Sequence, residues 1–333
     1  MKKIRIAMIG AGFIADYHMR ALSSLKNVEV TTICAHSLSS AQLFADKYNI
    51  KNTSDDALTL SSSPDLDGVI LAIPNRLHAE YAIEFLKRGK DVFIEKPLAM
   101  DFKEGELIRK ASEKSGSIIM TGHMWRFDDD VNYMRQLIKD GTFGDIIKTK
   151  GYGIHEDWGP EGWFVKKGLS GGGALIDMGV HAIDTVRFLL GDPEPISVYA
   201  RLGTFFGNYD VDDSGIIIIN WSNGTSSIIE SGWWQPHSDG PEAATRLFGV
   251  KGYASIFPTC YKLKSDRFKE TVPDLPARED HCAQRIYDSE MTHFINCIRD
   301  RSTPRSGIEE GQVVMRITDA AYRSSETNCV ITM

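Results

Sequence analysis

Hydrophobic and polar positions follow two different rhythms along the chain. In the first third, short apolar runs alternate with stretches whose apolar residues recur at helical spacing. The run Ile4–Ile9 leads into a glycine-rich turn and a helical stretch, and the run Val28–Cys34 leads into a second helical stretch at Leu38–Tyr48. A helix is expected at 54–60, a strand at 69–73, a helix ending at Arg88, and a buried strand at Val92, Phe93 and Ile94. Asp101 and Glu104 form an Asp variant of the capping box for a helix at 102–115, and a strand at 117–121 closes the series. Strands alternating with helices predict a parallel, doubly wound sheet with right-handed crossovers.

Beyond Gly122 the rhythm changes. Segments 146–152, 196–202, 214–221, 225–233, 244–250 and 253–257 read as strands, with a hairpin signal at Asn223-Gly224 and a turn at Lys251-Gly252. This pattern predicts an antiparallel sheet. The unbroken apolar run Ile216 to Ile219 predicts a strand covered on both sides, by helices or by a partner subunit. Near the end, 287–300 and 309–324 read as amphipathic helices, and Met291, Phe294, Ile295 and Ile298 sit at packing positions.

Composition narrows the partners more than the fold. A chain of 333 residues suffices for two domains, and its formal net charge of -7 argues against nucleic acid and for a small-molecule partner. The five cysteines (Cys34, Cys260, Cys282, Cys297, Cys329) are odd in number and widely spaced. Without a C-x-x-C pair they suggest neither a disulfide framework nor a zinc knuckle, which fits a reducing cytoplasm. Met1-Lys2-Lys3 before an apolar run imitates a secretory leader, but Arg5 interrupts the run and a glycine-rich loop follows, so the segment reads as a first strand. No apolar run approaches the roughly 18 residues of a membrane helix.

Candidate chemistry concentrates at the carboxyl ends of the expected strands, where open α/β sheets place their ligands. Gly10-Ala11-Gly12-Phe13-Ile14-Ala15 has the form G-x-G-x-x-A. Gly10 allows the tight turn, Gly12 admits a pyrophosphate, and Ala15 permits close packing of helix on strand. Gly10, Gly12, Phe13 and Ile14 are thus candidate cofactor contacts, at a helix amino terminus suited to phosphate. About 20 residues further on, an NAD site usually presents an acidic residue, whereas this chain offers Ala35-His36-Ser37. His36 and Ser37 could donate to a 2'-phosphate, a slight lean toward NADP(H), although Ser37 equally suits a helix cap. Asn75 and His78 suit either the nicotinamide half of a cofactor or a turn and helix cap. Glu95 and Lys96 follow the strand at Val92 to Ile94, and Lys96 is the first candidate for chemistry.

The Gly-x-Gly-x-x-Ala turn, the Ala-x-Pro-Asn-x-x-His stretch at 72–78 and Gly-Lys-x-Val-x-x-Glu-Lys-Pro at 89–97 resemble the glucose-fructose oxidoreductase / inositol dehydrogenase / MocA family. Order and spacing match through the whole first domain. The resemblance implies an α/β chain with a dinucleotide-binding Rossmann domain at 1–122. It implies a substrate-binding and oligomerisation α/β domain at 123–333, built on a large open, mainly antiparallel sheet that mediates homodimer or homotetramer contacts. It further implies that Lys96 reaches the substrate hydroxyl near the nicotinamide, that Glu95 and Pro97 fix its direction, and that the Lys96-Pro97 bond is cis.

Further along, Gly171-Gly172-Gly173 precedes Asp177, His181 and Asp184, which share one face of a helix at i, i+4 and i+7. One carboxylate could orient the imidazole while the other binds a substrate hydroxyl; an exposed polar stripe with an ordinary histidine is the plain alternative. A metal site is disfavoured, because Asp-x-x-x-His supplies two ligands and no third is evident. The resemblance assigns His181 as general acid/base and Asp177 as substrate holder and ring orienter, with Lys96 completing the site. It leaves Arg126 as scaffold at the domain junction. His155, Trp158 and Trp163 mix aromatic faces with polar groups in a loop, which suits a sugar or cyclitol and equally suits a satellite core.

The expected activity is NAD(P)-dependent hydride transfer to or from a secondary alcohol of a sugar, sugar derivative or cyclitol, at a site between the two domains. Two rival readings are an NAD-dependent glycosidase, which uses transient oxidation, and a noncatalytic dinucleotide- and sugar-binding regulator. The second would not need Lys96, Asp177 and His181 together.

Overall fold

The computed structural model describes residues 3–277 and 283–333. The chain forms two compact units, Met1–Met124 with Cys282–Gln312, and Trp125–His281 with Val313–Met333.

The first unit runs β1 (Ile4–Ile9), α1 (Phe13–Ser23), β2 (Val28–Cys34), α2 (Leu38–Tyr48), β3 (Asn52–Ser54), α3 (Ala57–Leu60), β4 (Gly68–Leu71), α4 (His78–Lys87), β5 (Asp91–Glu95), α5 (Phe102–Ser115) and β6 (Ile119–Gly122). All six strands are parallel, in the order β3-β2-β1-β4-β5-β6, so the order reverses between β1 and β4. That switch point is where a doubly wound sheet opens a crevice for a ligand. The continuous apolar runs have their physical reason here: Ile6 to Met8, Val69 to Leu71 and Val92 to Ile94 are all fully buried, in a sheet covered on both faces. Asp101 caps α5 by accepting from the Glu104 N–H at 2.8 Å, and the Glu104 carboxyl reaches back to the Met100 N–H at 3.2 Å.

The second unit runs α6 (Asp129–Lys139), β7 (Ile146–Ile154), α7 (Lys167–Ser170), a π-helical turn at Leu175–Gly179, and α8 (Val180–Leu189). There follow β8 (Pro195–Gly203), β9 (Ser214–Trp221), β10 (Ser226–Gly232), β11 (Ala243–Gly249), β12 (Gly252–Ile256), β13 (Cys260–Leu263) and β14 (Glu270–Thr271). The chain then supplies α9 (Gln284–Asp300) to the first unit, the division passes through α10 (Ile308–Thr327), and β15 (Ile331–Thr332) ends the second sheet. That sheet has nine strands in the order β14-β13-β12-β11-β7-β10-β9-β8-β15. It is antiparallel except for β7 beside β10. The β9–β10 hairpin turns at Asn223-Gly224, and Gly224 takes φ +85° there.

Two expectations need adjustment. The first cut, at Met124, falls beside the expected 122, but the second unit is not the continuous stretch 123–333, because Cys282–Gln312 returns to the first. The apolar face of α9 lies on the Rossmann unit: Tyr287 meets Tyr17 at 4.8 Å between ring centres and Phe294 meets Phe93 at 5.6 Å. The apolar run in β9 is covered within this chain on one face only. Ile217 and Ile219 are fully buried against Val180, Ile183 and Ile317, whereas Ile216 and Ile218 stay 43% and 38% exposed.

Candidate active site

In the Rossmann unit, the turn after β1 is shaped for close approach. Gly10 has φ +107°, and a Cβ there would lie 2.0 Å from the Ala72 carbonyl oxygen, so only glycine fits. A Cβ at Gly12 would meet nothing within 4 Å. No side chain caps α1, which leaves its first N–H groups and its positive end available to an anion in that open space. Phe13 is exposed, Ile14 half-buried, and Ala15 fully buried against the sheet, as the motif requires. A dinucleotide pyrophosphate fits this arrangement.

At the end of β2, His36 is exposed, while the Ser37 hydroxyl caps α2, accepting from the Ser40 N–H at 3.3 Å. Asp55 and Asp56 follow β3 at the neighbouring strand end. Asn75 is buried in a short 3-10 turn after β4. The His78 ring is fully buried, with Nδ1 2.8 Å from the Pro97 carbonyl and Nε2 2.9 Å from the Ile73 carbonyl. Burial lowers its pKa against the pull of those two carbonyls. His78 therefore braces the loop after β4 to the loop after β5.

The Lys96-Pro97 bond is cis. The Glu95 carboxylate points inward, with Oε1 2.6 Å from His18 Nε2 and Oε2 accepting from the Lys96 N–H at 3.1 Å. Glu95 thus accepts from the backbone that carries Lys96.

In the second unit, Asp177 lies on the π-helical turn and His181 in the first turn of α8. A π-turn widens the helix at one point, a device that recurs at functional sites. Asp177 Oδ2 accepts from Trp233 Nε1 at 3.1 Å. His181 is 7% exposed, its ring centre 5.0 Å from that of Trp125. Asp184 does not join this pair. Its carboxylate is buried against Arg126, with Nε at 2.9 Å and Nη2 at 2.8 Å, and Arg126 also reaches Asp192 at 2.8 Å. Arg126 and Asp184 form a buried ion pair.

Family models decide the assignment. The model described as an oxidoreductase family with an NAD-binding Rossmann fold (GFO_IDH_MocA) matches residues 4–123, and the GFO/IDH/MocA C-terminal domain model matches 131–255. The chain belongs to the GFO/IDH/MocA oxidoreductases. Among curated members, D-glucoside 3-dehydrogenase of Escherichia coli (strain K12) is 29% identical, covering 97% of this chain and 96% of that one. The scyllo-inositol 2-dehydrogenase (NAD(+)) of Bacillus subtilis (strain 168) is 26% identical, covering 91% and 88%. A solved levoglucosan dehydrogenase in complex with NADH and levoglucosan has the same fold, with TM-score 0.91 and 23% identity over 99% of both chains.

For this GFO/IDH/MocA chain, the residues that shape the second unit's site were not evident in sequence. A Cβ at Gly173 would fall 1.7 Å from the Asp212 carbonyl oxygen, so the glycine run lets the helix start against that loop. The Asp212 carboxylate accepts from the N–H groups of Gly173 at 2.9 Å and Leu175 at 2.8 Å and from the Tyr322 hydroxyl at 2.7 Å. Burial pushes Asp212 upward in pKa against these donors. A pair of acids before a strand carries no motif, and Tyr322 lies far along the chain.

The aromatic loop is only partly assembled. His155 is buried and stacks on Trp158 at 3.6 Å, and Trp158 Nε1 donates to Glu242 at 2.6 Å. Trp163 stacks instead on Phe164 at 3.9 Å. The His155 N–H donates to the Gly232 carbonyl at 3.0 Å, which ties the His155 backbone to the strand end that leads into Trp233. Among the described residues no helix is long and apolar enough to cross a membrane.

Proposed function

We propose that this oxidoreductase interconverts a secondary alcohol and a ketone on a sugar, sugar derivative or cyclitol, using Lys96, Asp177 and His181. The observation that carries this reading is Asp177 and His181 one helical turn apart, with Asp177 fixed by the Trp233 N–H. A bound nicotinamide dinucleotide, held at Gly10, Gly12, Phe13 and Ile14, supplies the hydride acceptor or donor. His181 takes the hydroxyl proton on a ring nitrogen in oxidation and returns it in reduction. The Lys96 ammonium stabilises the developing alkoxide and is aimed by Glu95, which holds the Lys96 N–H. Asp177, oriented by the Trp233 N–H, accepts a substrate hydroxyl. The stacked His155 and Trp158 give sugar C–H faces an aromatic wall, with Trp163 a further contact.

His36, exposed where an acidic residue would exclude a 2'-phosphate, supports use of NADP(H) as well as NAD(H). The lean to NADP(H) rests on His36 alone, because Ser37 is occupied as a cap and Asp55 and Asp56 are nearby acids. The exposed Ile216, Ile218 and Ile228 supply an apolar sheet face for a homodimer or homotetramer. Cys34, Cys260, Cys297 and Cys329 are unpaired, in keeping with a cytoplasmic setting.

A panel of sugars and cyclitols, each offered with NAD+ and with NADP+, tests the reading through absorbance of the reduced nicotinamide. A rise with at least one polyol is expected, and it should be lost in His181→Asn. Hydrolysis of a glycoside without net reduction would replace this reading with the glycosidase one, and tight binding of both ligands without turnover would replace it with the regulator.

A further inference from the structure

Behind the Lys96 backbone lies a cluster that the proposed chemistry does not use. His18 on α1, Glu95 at the end of β5 and Glu290 on α9 bring one nitrogen and two carboxylate oxygens within 4.8 Å of one another. His18 and Glu290 are fully buried, and the Glu95 side chain is 13% exposed. Both Glu290 oxygens and His18 Nδ1 have no hydrogen-bond partner among the described residues. Rings close the surroundings: His18 packs edge-on to Phe93 at 5.0 Å and to Tyr287 at 5.5 Å.

We propose that His18, Glu95 and Glu290 form a buried proton-sharing site in which Glu290 is held as the uncharged acid, and that this site positions the Glu95–Lys96 backbone. The argument is one of charge. A single imidazole carries at most one positive charge, so two ionised carboxylates would leave buried excess negative charge, and among the described residues the Glu290 oxygens have no donor. Glu95 is the carboxylate with partners, His18 and the Lys96 N–H. Glu290 has none, and the proton stays with it. Burial and the neighbouring Glu95 charge both push the Glu290 carboxyl well above the ordinary range. On α9 itself, Tyr287 and His293 stand one turn to either side of Glu290: the Tyr287 ring packs on Tyr17 at 4.8 Å and on His18 at 5.5 Å, and His293 accepts from the Arg305 N–H at 2.9 Å.

A cation shared by the three side chains is the competing occupant. His18 Nε2 and Glu95 Oε1 are 2.6 Å apart, a hydrogen-bond distance and shorter than the ~3.4 Å between neighbouring donors on a tetrahedral ion. Glu290 is a positioning residue here, and its effect on turnover rests on the role proposed for Lys96.

Glu290→Gln, which mimics the neutral acid, and Glu290→Leu, which does not, test the site on the full-length protein. The infrared carbonyl band of a protonated carboxyl should be present in wild type at neutral pH and missing in Glu290→Gln. Glu290→Gln should keep kcat within about twofold, while Glu290→Leu should lower kcat about tenfold at unchanged cofactor KM. Absence of the band, or a Glu290→Gln loss equal to that of a folded Glu290→Leu, would overturn the proposal. So would one equivalent of divalent metal in the purified protein that Glu290→Gln no longer holds. The band and metal content need no substrate, so they judge the site even where the activity reading fails.

Discussion

Two histidine–carboxylate pairs in this protein share their residue types and differ in what surrounds them. His18, fully buried, meets Glu95 at 2.6 Å and is walled by Phe93 and Tyr287. Asp177 sits on a π-helical turn with its carboxylate accepting from the Trp233 indole N–H at 3.1 Å, and His181 follows in the first turn of α8 beside Trp125. A histidine whose ring nitrogen is closed onto a buried carboxylate serves the backbone around it. His181, which follows a carboxylate anchored by Trp233, is the histidine to which the proposed reaction gives the substrate proton. His78, with both nitrogens on backbone carbonyls, is a further case of the first kind.

The comparison breaks first at His181. His181→Asn should lower kcat about 10²- to 10⁴-fold with the fold intact by circular dichroism, as loss of a general acid/base does. A loss below threefold would return His181 to the class of His18. Next, Asp184→Asn should act on stability: leaving Arg126 buried without its full counter-charge costs about 3–5 kcal/mol, read as a lower denaturant midpoint. Turnover per folded molecule should stay near wild type, and a selective loss of kcat would move Asp184 into the site.

A smaller effect is expected at Trp233. Trp233→Phe removes the donor to Asp177 and should raise substrate KM or lower kcat about tenfold, the scale of a hydrogen bond to a charged group. Unchanged kinetics would show that the indole does not set Asp177. The mildest effect lies in the pH dependence of stability. The Glu290 carboxyl has a folded-state pKa raised above its ordinary 4.5, so its favourable contribution is complete below pH 4.5 and lost as pH rises toward the folded value. Glu290→Gln should match wild type near pH 4 in urea titrations and gain on it through neutral pH. A parallel pair of stability curves would contradict the neutral acid.

How much of this was legible in sequence divides along the same line. Local spacing revealed the dinucleotide turn, because Gly10 and Gly12 act within one strand–helix junction, and it revealed the Asp177/His181 pair, because a helix places i and i+4 together. It also put Asp184 in that stripe, since periodicity says which face a residue shares and nothing of the Arg126 that waits beside it. The return of α9 to the Rossmann unit was hidden for a similar reason: Met291, Phe294 and Ile295 announce an apolar face without naming the sheet they cover. His18, Glu95 and Glu290 come from three distant segments, and Asp212 and Tyr322 from two more. Only tertiary packing shows that they meet.

The central claim is that Lys96 and His181 serve one reaction. A double-mutant cycle on kcat/KM with Lys96→Met and His181→Asn, for a polyol that wild type oxidises, tests it most directly. The expected result is strong non-additivity, with the double variant little worse than the worse single one, as for groups that act as a unit. Losses that multiply would mean the two residues act independently and would contradict the account.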